Sequence, residues 1–568
     1  MHAPSWDDEA DVIVVGLGAA GTVAAIEAAD HGARVIALDR WGRGGASARS
    51  GGIIYAGGGT AQQRAAGFDD DPDQMEQYLS LEEGTTNDEV LRRFCDHSLE
   101  NLTWLESLGV TIPDAFDPTK TVTPTDDEVG LYFSGNEKHY AATTPAAPRG
   151  HRVAGAGMTG HDLMAALTDA ARTRGVDRRT GSRLMELVVD DDGRVTGVDV
   201  LVLASDRRTR IGHYLLFRLA DACGPMLRRV PRLVRSATDR FEQRRGRRLR
   251  IRADRGVILC TGGFSFNHEM VAEHAPDFAG AMPLGTPGDD GSGIELARRL
   301  GASTRLMEHC GASRFLAPPT AFSWGLLVDA DGERVCDESM YAATLSAHIA
   351  EHGGRAWLIV DQAIRDQVRD QIRQATWVRG RPLTQILSGR ANHVLFPQVF
   401  GSINLYLNRT LAADLDDLAH RCGIAADGLR ATVERYNATA WTGGPDDQGK
   451  PADLLRPIAT PPFAAIPCHL DGVLFPAPCI TLGGLDVDPH TQQVRRVDGS
   501  AIAGLYAAGR CAAGVASNSY VSGLSLADCV FSGRNAGRAV TSPAPAVTSP
   551  APAVTSPAPA VTSRLAHD

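Results

Sequence analysis

The chain has 568 residues, of which 43% are hydrophobic, and a formal net charge of −11. Its length exceeds what one hydrophobic core normally serves, so we expect two or three domains. The negative charge argues against a nucleic-acid-binding protein, because neutralising phosphates requires a basic surface.

The N-terminal segment and the cysteines exclude further classes of protein. Residues 1–11 are acidic and hold no apolar run of the kind found in secretory signals, and no later window reaches the ~18 apolar residues of a spanning helix. A cytoplasmic location is therefore expected. The ten cysteines form no CxxC pair and accompany no histidine cluster at ligand spacing, so we predict buried free thiols and no metal site.

The first predicted element is a dinucleotide-binding unit in residues 11–40. A β-branched run at 12–15 is typical of a parallel strand buried on both faces. The glycines that follow in G-x-G-x-x-G spacing are Gly16, Gly18 and Gly21. This spacing allows a tight turn, a close approach to a pyrophosphate and close packing of the next helix. A second strand, 34–38, ends at Asp39, an acid that can bind both ribose hydroxyls. A glycine-rich turn in an ordinary α/β sheet is the alternative.

Loops, helices and a strand pair follow in the chain. Residues 42–59 hold so much glycine that they predict a loop lying against a ligand, with a mobile surface loop as the alternative. Residues 72–109 have helical spacing. Residues 111–157 predict a long loop, either functional or a decorative insertion. The stretches 183–189 and 194–200 predict an antiparallel strand pair.

Residues 204–255 concentrate arginine in an otherwise acidic protein, with apolar residues such as Leu215 and Phe217 among them. A basic amphipathic segment of this kind can bind the surface of an anionic membrane. A solvated surface insertion and a contact between subunits are the alternatives.

The sheet resumes after this insertion. Residues 256–260 predict a strand that runs into a T-G-G turn, a further close backbone approach at the edge where α/β sheets bind ligands. Residues 271–455 have many short elements and predict a second domain inserted into the first. Strand and glycine patterns return at 456–540, and the repeated TSPAPAV sequence of 541–568 predicts a disordered tail.

Together these features resemble the FAD-dependent family of fumarate reductases, succinate dehydrogenase flavoproteins and 3-ketosteroid dehydrogenases. The resemblance rests on VVGLGAAG with Asp39, the loop GGASARSGG, the strand that ends in TGG, and the segments GLYAAG and GLSL near the C-terminus. It implies an α/β fold in which a Rossmann-type FAD-binding domain, residues 10–270 and 456–540, carries an inserted α+β substrate or cap domain, residues 271–455.

The same resemblance implies the cofactor contacts. A final helix beginning near Ser525 would place its N-terminal dipole at the pyrimidine edge of the flavin, where negative charge builds up on reduction. The loop at 44–52 lacks the histidine of the covalent members, so FAD should be held non-covalently. The residues predicted to bind FAD are Gly16, Gly18, Ala19, Ala20, Gly21, Asp39, Arg40, Ala46, Ser47, Ser50, Gly51, Gly52, Leu184, Thr261, Gly262, Gly263, Gly509, Arg510, Ser525 and Leu526.

Two branches of this family make different demands on the substrate site. Dicarboxylate reductases hold their substrate with clustered histidine and arginine, a pattern that the second domain does not reproduce with His309, Arg314, Arg334 and His348. Arg334 is the strongest remnant, and a salt bridge with Asp337 or Glu338 is its alternative role. The loop SNSYVSGLSL instead resembles that of the 3-ketosteroid dehydrogenases, in the short Tyr-x-Ser-Gly form of the Δ4-(5α) enzymes.

Carried over residue by residue, the resemblance implies four catalytic residues. Tyr520 and the N–H of Gly523 would polarise the C3 carbonyl, and Ser522 would help remove the C4 proton, with Tyr341 of the second domain nearby. The C5 hydrogen would leave as a hydride to FAD. The structural alternatives are a packed aromatic for Tyr520, a turn residue for Ser522 and a helix-face residue for Tyr341.

The predicted function is desaturation of the C4–C5 bond of a 5α-3-ketosteroid, with a small apolar steroid ketone as substrate and an unidentified electron acceptor. The alternatives are a Δ1-dehydrogenase, a fumarate-reductase-like enoate or enone reductase and, from another class, a FAD-containing lipid hydratase or isomerase. No nucleic-acid partner is expected, and peripheral membrane contact through residues 204–255 remains an open hypothesis.

Overall fold

The structure, a computed structural model, describes residues 5–82, 88–121, 123–124, 126–223, 230–317, 319–374, 392–472 and 477–542. The α-helices in these ranges are α1 (Ala19–Asp30), α2 (Ala61–Ala65), α3 (Pro72–Leu81), α4 (Asp88–Asp96), α5 (Ser98–Ser107), α6 (Gly160–Thr173), α7 (Arg207–Cys223), α8 (Val230–Arg245), α9 (His268–His274), α10 (Ser292–Arg298), α11 (Ala342–Glu351), α12 (Gln362–Gln374), α13 (Asn392–Tyr406), α14 (Leu415–Cys422), α15 (Ala426–Thr442) and α16 (Leu524–Thr541).

The strands in the same ranges are β1 (Asp8–Val15), β2 (Val35–Asp39), β3 (Ile53–Tyr55), β4 (Ala115–Asp117), β5 (Val129–Tyr132), β6 (Gly150–Arg152), β7 (Asp177–Thr180), β8 (Ser182–Val189), β9 (Val195–Leu203), β10 (Gly246–Leu259), β11 (Met282–Pro283), β12 (Thr304–Arg305), β13 (Cys310–Ala312), β14 (Leu326–Val328), β15 (Trp357–Val360), β16 (Thr410–Ala412), β17 (Phe463–Pro467), β18 (Pro478–Thr481), β19 (Gly484–Leu485), β20 (Gln493–Arg495) and β21 (Ala501–Ala507). Of the predicted tail, residues 543–568 lie outside the described residues.

The largest sheet combines strands from both ends of the chain. Its order is β20-β21-β10-β1-β2-β7, parallel from β21 to β7, and β9 pairs antiparallel with the first half of β10 and with β8. Residues 12–15 are buried, as predicted for a strand covered on both faces. The unit β1–α1–β2 and the strand pair β8–β9 are confirmed. Because β21 lies near the C-terminus, the sheet is complete only when that region folds back onto β10.

Helix α16 packs directly across α1. A Cβ added at Gly533 would lie 2.6 Å from the carbonyl oxygen of Ala20, a spacing that only glycine permits. The buried carboxylate of Glu27 on α1 also forms ion pairs with Arg534 at 3.2 Å and Arg538 at 2.6 Å. These contacts fix the start of α16 close to the glycine turn that follows β1.

The structure divides the predicted Arg-rich insertion into two parts. Arg207–Cys223 and Val230–Arg245 form the helices α7 and α8, which pack against each other as the α7–α8 hairpin, whereas Gly246 already begins β10, so the limits 204–255 are too wide. In β10 the side chains of Ile251 and Ala253 are buried and those of Arg250 and Arg252 are partly exposed, which is the two-residue period of a strand. The density of arginine concealed this alternation in the sequence.

Two stretches predicted as loops contribute to one sheet. The order β3-β6-β5-β4 joins a strand of the 42–59 stretch to three strands of the 111–157 stretch, and Ala46–Arg49 forms a 3-10 helix. Each strand has only three or four residues, so the surrounding glycines and prolines dominated the sequence pattern. This small sheet supports the candidate site.

A separate hydrophobic cluster surrounds the sheet β14-β15-β17-β16 and the helices near it. Its members run from Ala312 to Cys479 and include β17, which lies past residue 455. Met270 and Ile294 belong instead to the cluster of the main sheet. The domain limits 271–455 remain a prediction, and the clusters favour later ones.

The cysteines whose side chains the structure describes are free and mostly buried, in agreement with the sequence. In the described ranges no cluster of histidine, cysteine and carboxylate side chains is arranged to hold a metal ion. None of the helices found there combines the length and hydropathy that crossing a bilayer requires.

The close packing of α1 on its own turn gives a testable prediction. Alanine is preferred over glycine in a helix by about 1 kcal/mol, but a Cβ at Gly21 would lie 1.8 Å from the carbonyl oxygen of Gly16. We expect Gly21→Ala to reduce the free energy of unfolding by about 1–3 kcal/mol, seen as a lower midpoint in urea. Gly444→Ala, whose nearest neighbour would be 3.5 Å away, is the control. An unchanged midpoint for Gly21→Ala would contradict the packing argument.

Candidate active site

A cavity of about 880 Å³ lies along one edge of the main sheet. Its wall includes residues that directly follow β1, β2, β10 and β21. The cavity therefore lies at the carboxyl ends of the parallel strands, the position at which open α/β sheets bind their ligands.

Most of the predicted cofactor residues line this cavity. They are Gly16, Gly18, Ala19, Ala20, Asp39, Arg40, Ala46, Ser47, Ser50, Gly51, Leu184, Thr261, Gly262, Gly263, Arg510, Ser525 and Leu526. Gly21, Gly52 and Gly509 are packing glycines outside its wall, since a Cβ at any of them would lie 2.7 Å or less from another atom. Contact of each residue with the cofactor stays a prediction.

The turn after β1 has the geometry that a dinucleotide site requires. Gly16 has a φ of +101°, and a Cβ there would lie 2.2 Å from the carbonyl oxygen of Cys260. The backbone N–H of Ala19 donates to Ser47 Oγ at 3.0 Å, which ties the glycine-rich loop to the start of α1. The glycine turn after β1 and the glycine-rich loop thus form one continuous part of the cavity wall.

Polar groups at the end of β2 fit a bound nucleotide. The carboxylate of Asp39 accepts from the backbone N–H groups of Leu17 and Trp41, both at 2.9 Å, and is held in the cavity wall. The buried atoms Trp41 Nε1 and Ser182 Oγ have no hydrogen-bond partner among the described residues, and both residues line the cavity. Buried polar groups without a partner indicate a polar ligand. The residues present therefore fit a dinucleotide such as FAD.

The four predicted catalytic residues also line the cavity. Tyr520 and Tyr341, at the N-cap of α11, come from segments far apart in the chain, and their ring centroids lie 6.1 Å apart. The hydroxyl of Ser522 hydrogen-bonds that of Tyr341, and the backbone N–H of Gly523 hydrogen-bonds the phenolic oxygen of Tyr520. Burial raises the pKa of both tyrosines, so both hydroxyls stay protonated and can donate at neutral pH.

Residues without a predicted role hold the catalytic loop in place. The hydroxyl of Ser522 also hydrogen-bonds that of Tyr132 at the end of β5. Ser134 Oγ donates to the carbonyl oxygen of Ser522 at 3.0 Å, and the backbone N–H of Tyr55 in β3 donates to that of Gly523 at 3.2 Å. Ser134 and Ser522 are 388 residues apart, so no local sequence pattern could have linked them.

The basic residues of a dicarboxylate site lie elsewhere. Arg334 is buried in ion pairs with Glu338 at 2.9 Å and Asp446 at 2.7 Å, which is a structural role. His309, Arg314 and His348 are outside the wall of the cavity. Apolar residues complete that wall, including Ile53, Met282, Leu284, Phe315, Phe400 and Ile480. An apolar substrate with few polar groups suits such a lining.

Comparisons with known proteins agree with this geometry. Residues 11–526 match the family described as FAD binding domain. The chain is 35% identical to a 3-oxo-5-alpha-steroid 4-dehydrogenase of Comamonas testosteroni, over 89% of this chain and 93% of that protein. It is 25% identical to a fumarate reductase (cytochrome) of Shewanella frigidimarina, over 93% and 76%.

A solved structure is also similar over nearly its full length. The 3-ketosteroid-delta4-(5alpha)-dehydrogenase of Rhodococcus jostii, in complex with 4-androstene-3,17-dione, superposes with a TM-score of 0.77 and 30% identity, covering 95% of this chain and 99% of that one. The family and the fold class inferred from the sequence are thereby confirmed.

The position of Asp39 gives a prediction for cofactor retention. Asp39→Asn removes a charge from the cavity wall, and hydrogen bonds to charged groups contribute roughly 1.5–3 kcal/mol. We expect FAD affinity to fall by about tenfold or more, measured as the flavin-to-protein absorbance ratio after gel filtration. Asp30→Asn, at the far end of α1 where Asp30 pairs with Arg174, is the control. Equal FAD retention in both variants would contradict the predicted role of Asp39.

Proposed function

Since the chain belongs to the FAD binding domain family, we propose that it is a FAD-dependent oxidoreductase that desaturates the C4–C5 bond of 5α-3-ketosteroids. One observation carries the proposal. Tyr520, Ser522, the N–H of Gly523 and Tyr341 meet on one wall of the cavity, whose lining also holds apolar side chains such as Ile53 and Ile480 and the predicted cofactor residues.

The carbonyl end of the substrate is bound by two adjacent donors. When the substrate binds, the N–H of Gly523 exchanges the phenolic oxygen of Tyr520 for the C3 oxygen, to which the hydroxyl of Tyr520 also donates. Both donors stabilise the negative charge that develops there. Gly523 can present its N–H in this way because it has a φ of +95° as the N-cap of α16, and a Cβ there would lie 2.8 Å from the backbone nitrogen of Tyr55. No other residue fits this position without moving β3.

Proton removal falls to a chain of hydroxyls. Ser522 Oγ takes the proton from C4 while its own proton passes to the oxygen of Tyr341, which hydrogen-bonds it and releases its phenolic proton to water in the cavity. Tyr132, the second hydroxyl that hydrogen-bonds Ser522, holds the serine in place. When bound, FAD supplies the acceptor for the hydride that leaves C5. The C4–H and C5–H bonds break, and the electron pair of the C4–H bond forms the C4–C5 double bond.

The same wall disfavours the alternatives. A dicarboxylate reductase needs clustered arginines at the substrate, but Arg334 is engaged with Glu338 and Asp446. The short Tyr-x-Ser-Gly loop favours Δ4 over Δ1 chemistry. Paired hydroxyl and amide donors at a carbonyl suit enolisation, which a hydratase acting on an isolated double bond does not require.

The reaction gives a direct spectroscopic prediction. Anaerobic mixing with 5α-androstane-3,17-dione should bleach the flavin absorbance of the wild-type enzyme. Tyr520→Phe and Ser522→Ala should each slow this reduction by about 10²–10⁴-fold while FAD stays bound, because each removes a group that acts in the transition state. Tyr406→Phe, at an exposed position, is the control.

Each outcome of that experiment has a separate meaning. Full activity in both variants would reject the assigned site. Oxidation of a reduced dye by fumarate, without any response to the steroid, would favour a fumarate reductase. Turnover of a lipid without bleaching would favour a hydratase or isomerase.

We further propose that the outer face of α7–α8 contacts an anionic membrane surface. On α7 the side chains of Ile211, Leu215 and Leu219 follow one another at four-residue spacing and are 47%, 59% and 48% exposed. On α8 Leu233 is 70% exposed. Spacing of this kind places apolar side chains on one helical face, which suits insertion at the headgroup boundary.

Charge is segregated across the same hairpin. Its three acids are turned inward, with Asp221 paired to Arg49 and with Asp239 and Glu242 paired to Arg40. The exposed arginines without an ion-pair partner among the described residues are Arg207, Arg208, Arg210, Arg218, Arg240, Arg244 and Arg245. Each arginine near an anionic surface contributes about 1 kcal/mol. The outer face is therefore cationic and apolar, although the whole chain is negative.

Vesicle flotation tests this contact. We expect the holoenzyme to float with phosphatidylglycerol-containing vesicles and not with pure phosphatidylcholine, and 1 M salt should release it because it screens charges beyond roughly 3 Å. The double variant Leu215→Ser, Leu219→Ser should stay in the unbound fraction. Val497→Ser, at another exposed apolar position, should float like wild type. Equal recovery of wild type and the double variant in the unbound fraction would end the membrane hypothesis.

A further inference from the structure

We propose that the hairpin α7–α8 clamps the adenosine half of FAD through its inner face, with Phe217 as the side chain that contacts it. Phe217 and Asp221 line the cavity together with Asp39 and Leu184, which are predicted to bind the cofactor. The inference rests on FAD binding alone and is independent of the steroid substrate. It concerns the face of the hairpin opposite to the exposed leucines.

The inner face of α7 forms an aromatic layer beside the end of β2. The ring of His213 stacks on Trp41 with centroids 4.5 Å apart and planes 11° apart, and the ring of Phe217 lies 5.2 Å from Trp41. Phe217 is buried even though it belongs to an insertion. Aromatic rings that stack in a cavity wall next to a ribose-binding acid are suited to hold a purine.

The anchors of the hairpin adjoin predicted cofactor residues. Glu242 on α8 accepts from Arg40 Nε at 2.8 Å and from Arg183 Nη1 at 3.1 Å. Arg40 directly follows Asp39, and Arg183 directly precedes Leu184. The hairpin is therefore attached to the two backbone segments that flank the nucleotide part of the cavity.

A second group of contacts reaches the glycine-rich loop. Asp221, near the end of α7, forms an ion pair with Arg49, which lies between the predicted cofactor residues Ser47 and Ser50. The guanidinium of Arg43 lies 4.1 Å from the ring centroid of Tyr214 on the same helix. One helical element thus connects to β2, β8 and the loop that follows β2, all of which adjoin the cavity.

The end of the cavity that the hairpin covers is the adenosine end. In this fold the acid at the end of the second strand binds the ribose, and that acid is Asp39. Trp41 Nε1, two residues further on, is buried without a hydrogen-bond partner among the described residues, so a donor is available there for the ligand. Leu184, on the opposite side, also belongs to the cavity wall.

The anchor remains charged under ordinary conditions. Burial alone would raise the pKa of Glu242, but hydrogen bonds from His213 and Arg40 lower it to about 2. The ion pairs of Glu242 with Arg40 and Arg183 therefore persist across the pH range of a working enzyme. FAD that is not covalently linked to the protein is retained because the hairpin must detach from these arginines before the nucleotide can leave.

Ligand fragments test the clamp in the full-length protein. After removal of FAD, the affinities of wild type and Phe217→Ala are measured for FAD, for ADP, which has the adenosine but no flavin, and for FMN, which has the flavin but no adenosine. We expect Phe217→Ala to weaken FAD and ADP by the same factor, about tenfold or more, because a buried aromatic contact is lost. FMN affinity should be unchanged.

Matched variants complete the experiment. Leu215→Ala changes the outer face of the same helix and should leave all three affinities as in wild type. Glu242→Gln weakens the anchor and should raise the rate of FAD release from the holoenzyme, followed by the fluorescence of freed flavin. Unchanged FAD and ADP affinities in Phe217→Ala would overturn the proposal. An equal loss for FMN would also overturn it, since it would indicate a general structural defect. Steroid turnover enters none of these measurements, so the proposed reaction stands or falls separately.

Discussion

The fold depends on the crossing of two helices from opposite ends of the chain. Helix α16 can pack closely on α1 because Gly533 has no Cβ, which would lie 2.6 Å from the carbonyl oxygen of Ala20, and because Glu27 is paired with two arginines of α16. Strand β21, which precedes α16, completes the parallel sheet beside β10. This packing brings the catalytic loop, just before α16, to the cavity that begins at the glycine turn after β1. Cofactor wall and substrate wall are therefore parts of one space.

The catalytic loop is held by a sheet too small to be stable alone. Strands β3, β5 and β6 have three or four residues each, yet they direct Tyr132, Ser134 and the N–H of Tyr55 at residues 522 and 523. Short strands need support from neighbouring layers, and here the main core and the inserted region supply it. The result is a cluster of buried tyrosine hydroxyls, those of Tyr132, Tyr341 and Tyr520. Because burial raises their pKa values, these hydroxyls stay protonated and can donate hydrogen bonds. Donors fixed before the substrate arrives stabilise developing charge without reorganisation of the site.

The Arg-rich hairpin has two faces with different chemistry. Its carboxylates are turned toward the arginines that surround the cavity, and its leucines and remaining arginines face solvent. A segment whose composition looked uniformly basic thus has an acidic inner face, which packs on the body of the protein, and a cationic and apolar outer face. The two proposals thus use opposite faces of one element.

The sequence by itself determined the dinucleotide unit, the strand pair β8–β9 and the family, and most of the cofactor residues that it predicted line the cavity. It could do so because the glycine spacing, the buried strand runs and the terminal loop are local patterns with direct physical meaning. It placed the end of the Arg-rich insertion too late, since charge concealed the alternation of β10, and it described the small sheet as loops. Only the tertiary structure showed that Tyr132 and Ser134 hold Ser522 in place. It also showed that Arg334 forms ion pairs with Glu338 and Asp446, and that the carboxylates of the hairpin face inward. These are contacts between residues distant in the chain, and a local pattern holds no information about which distant segment will pack against it.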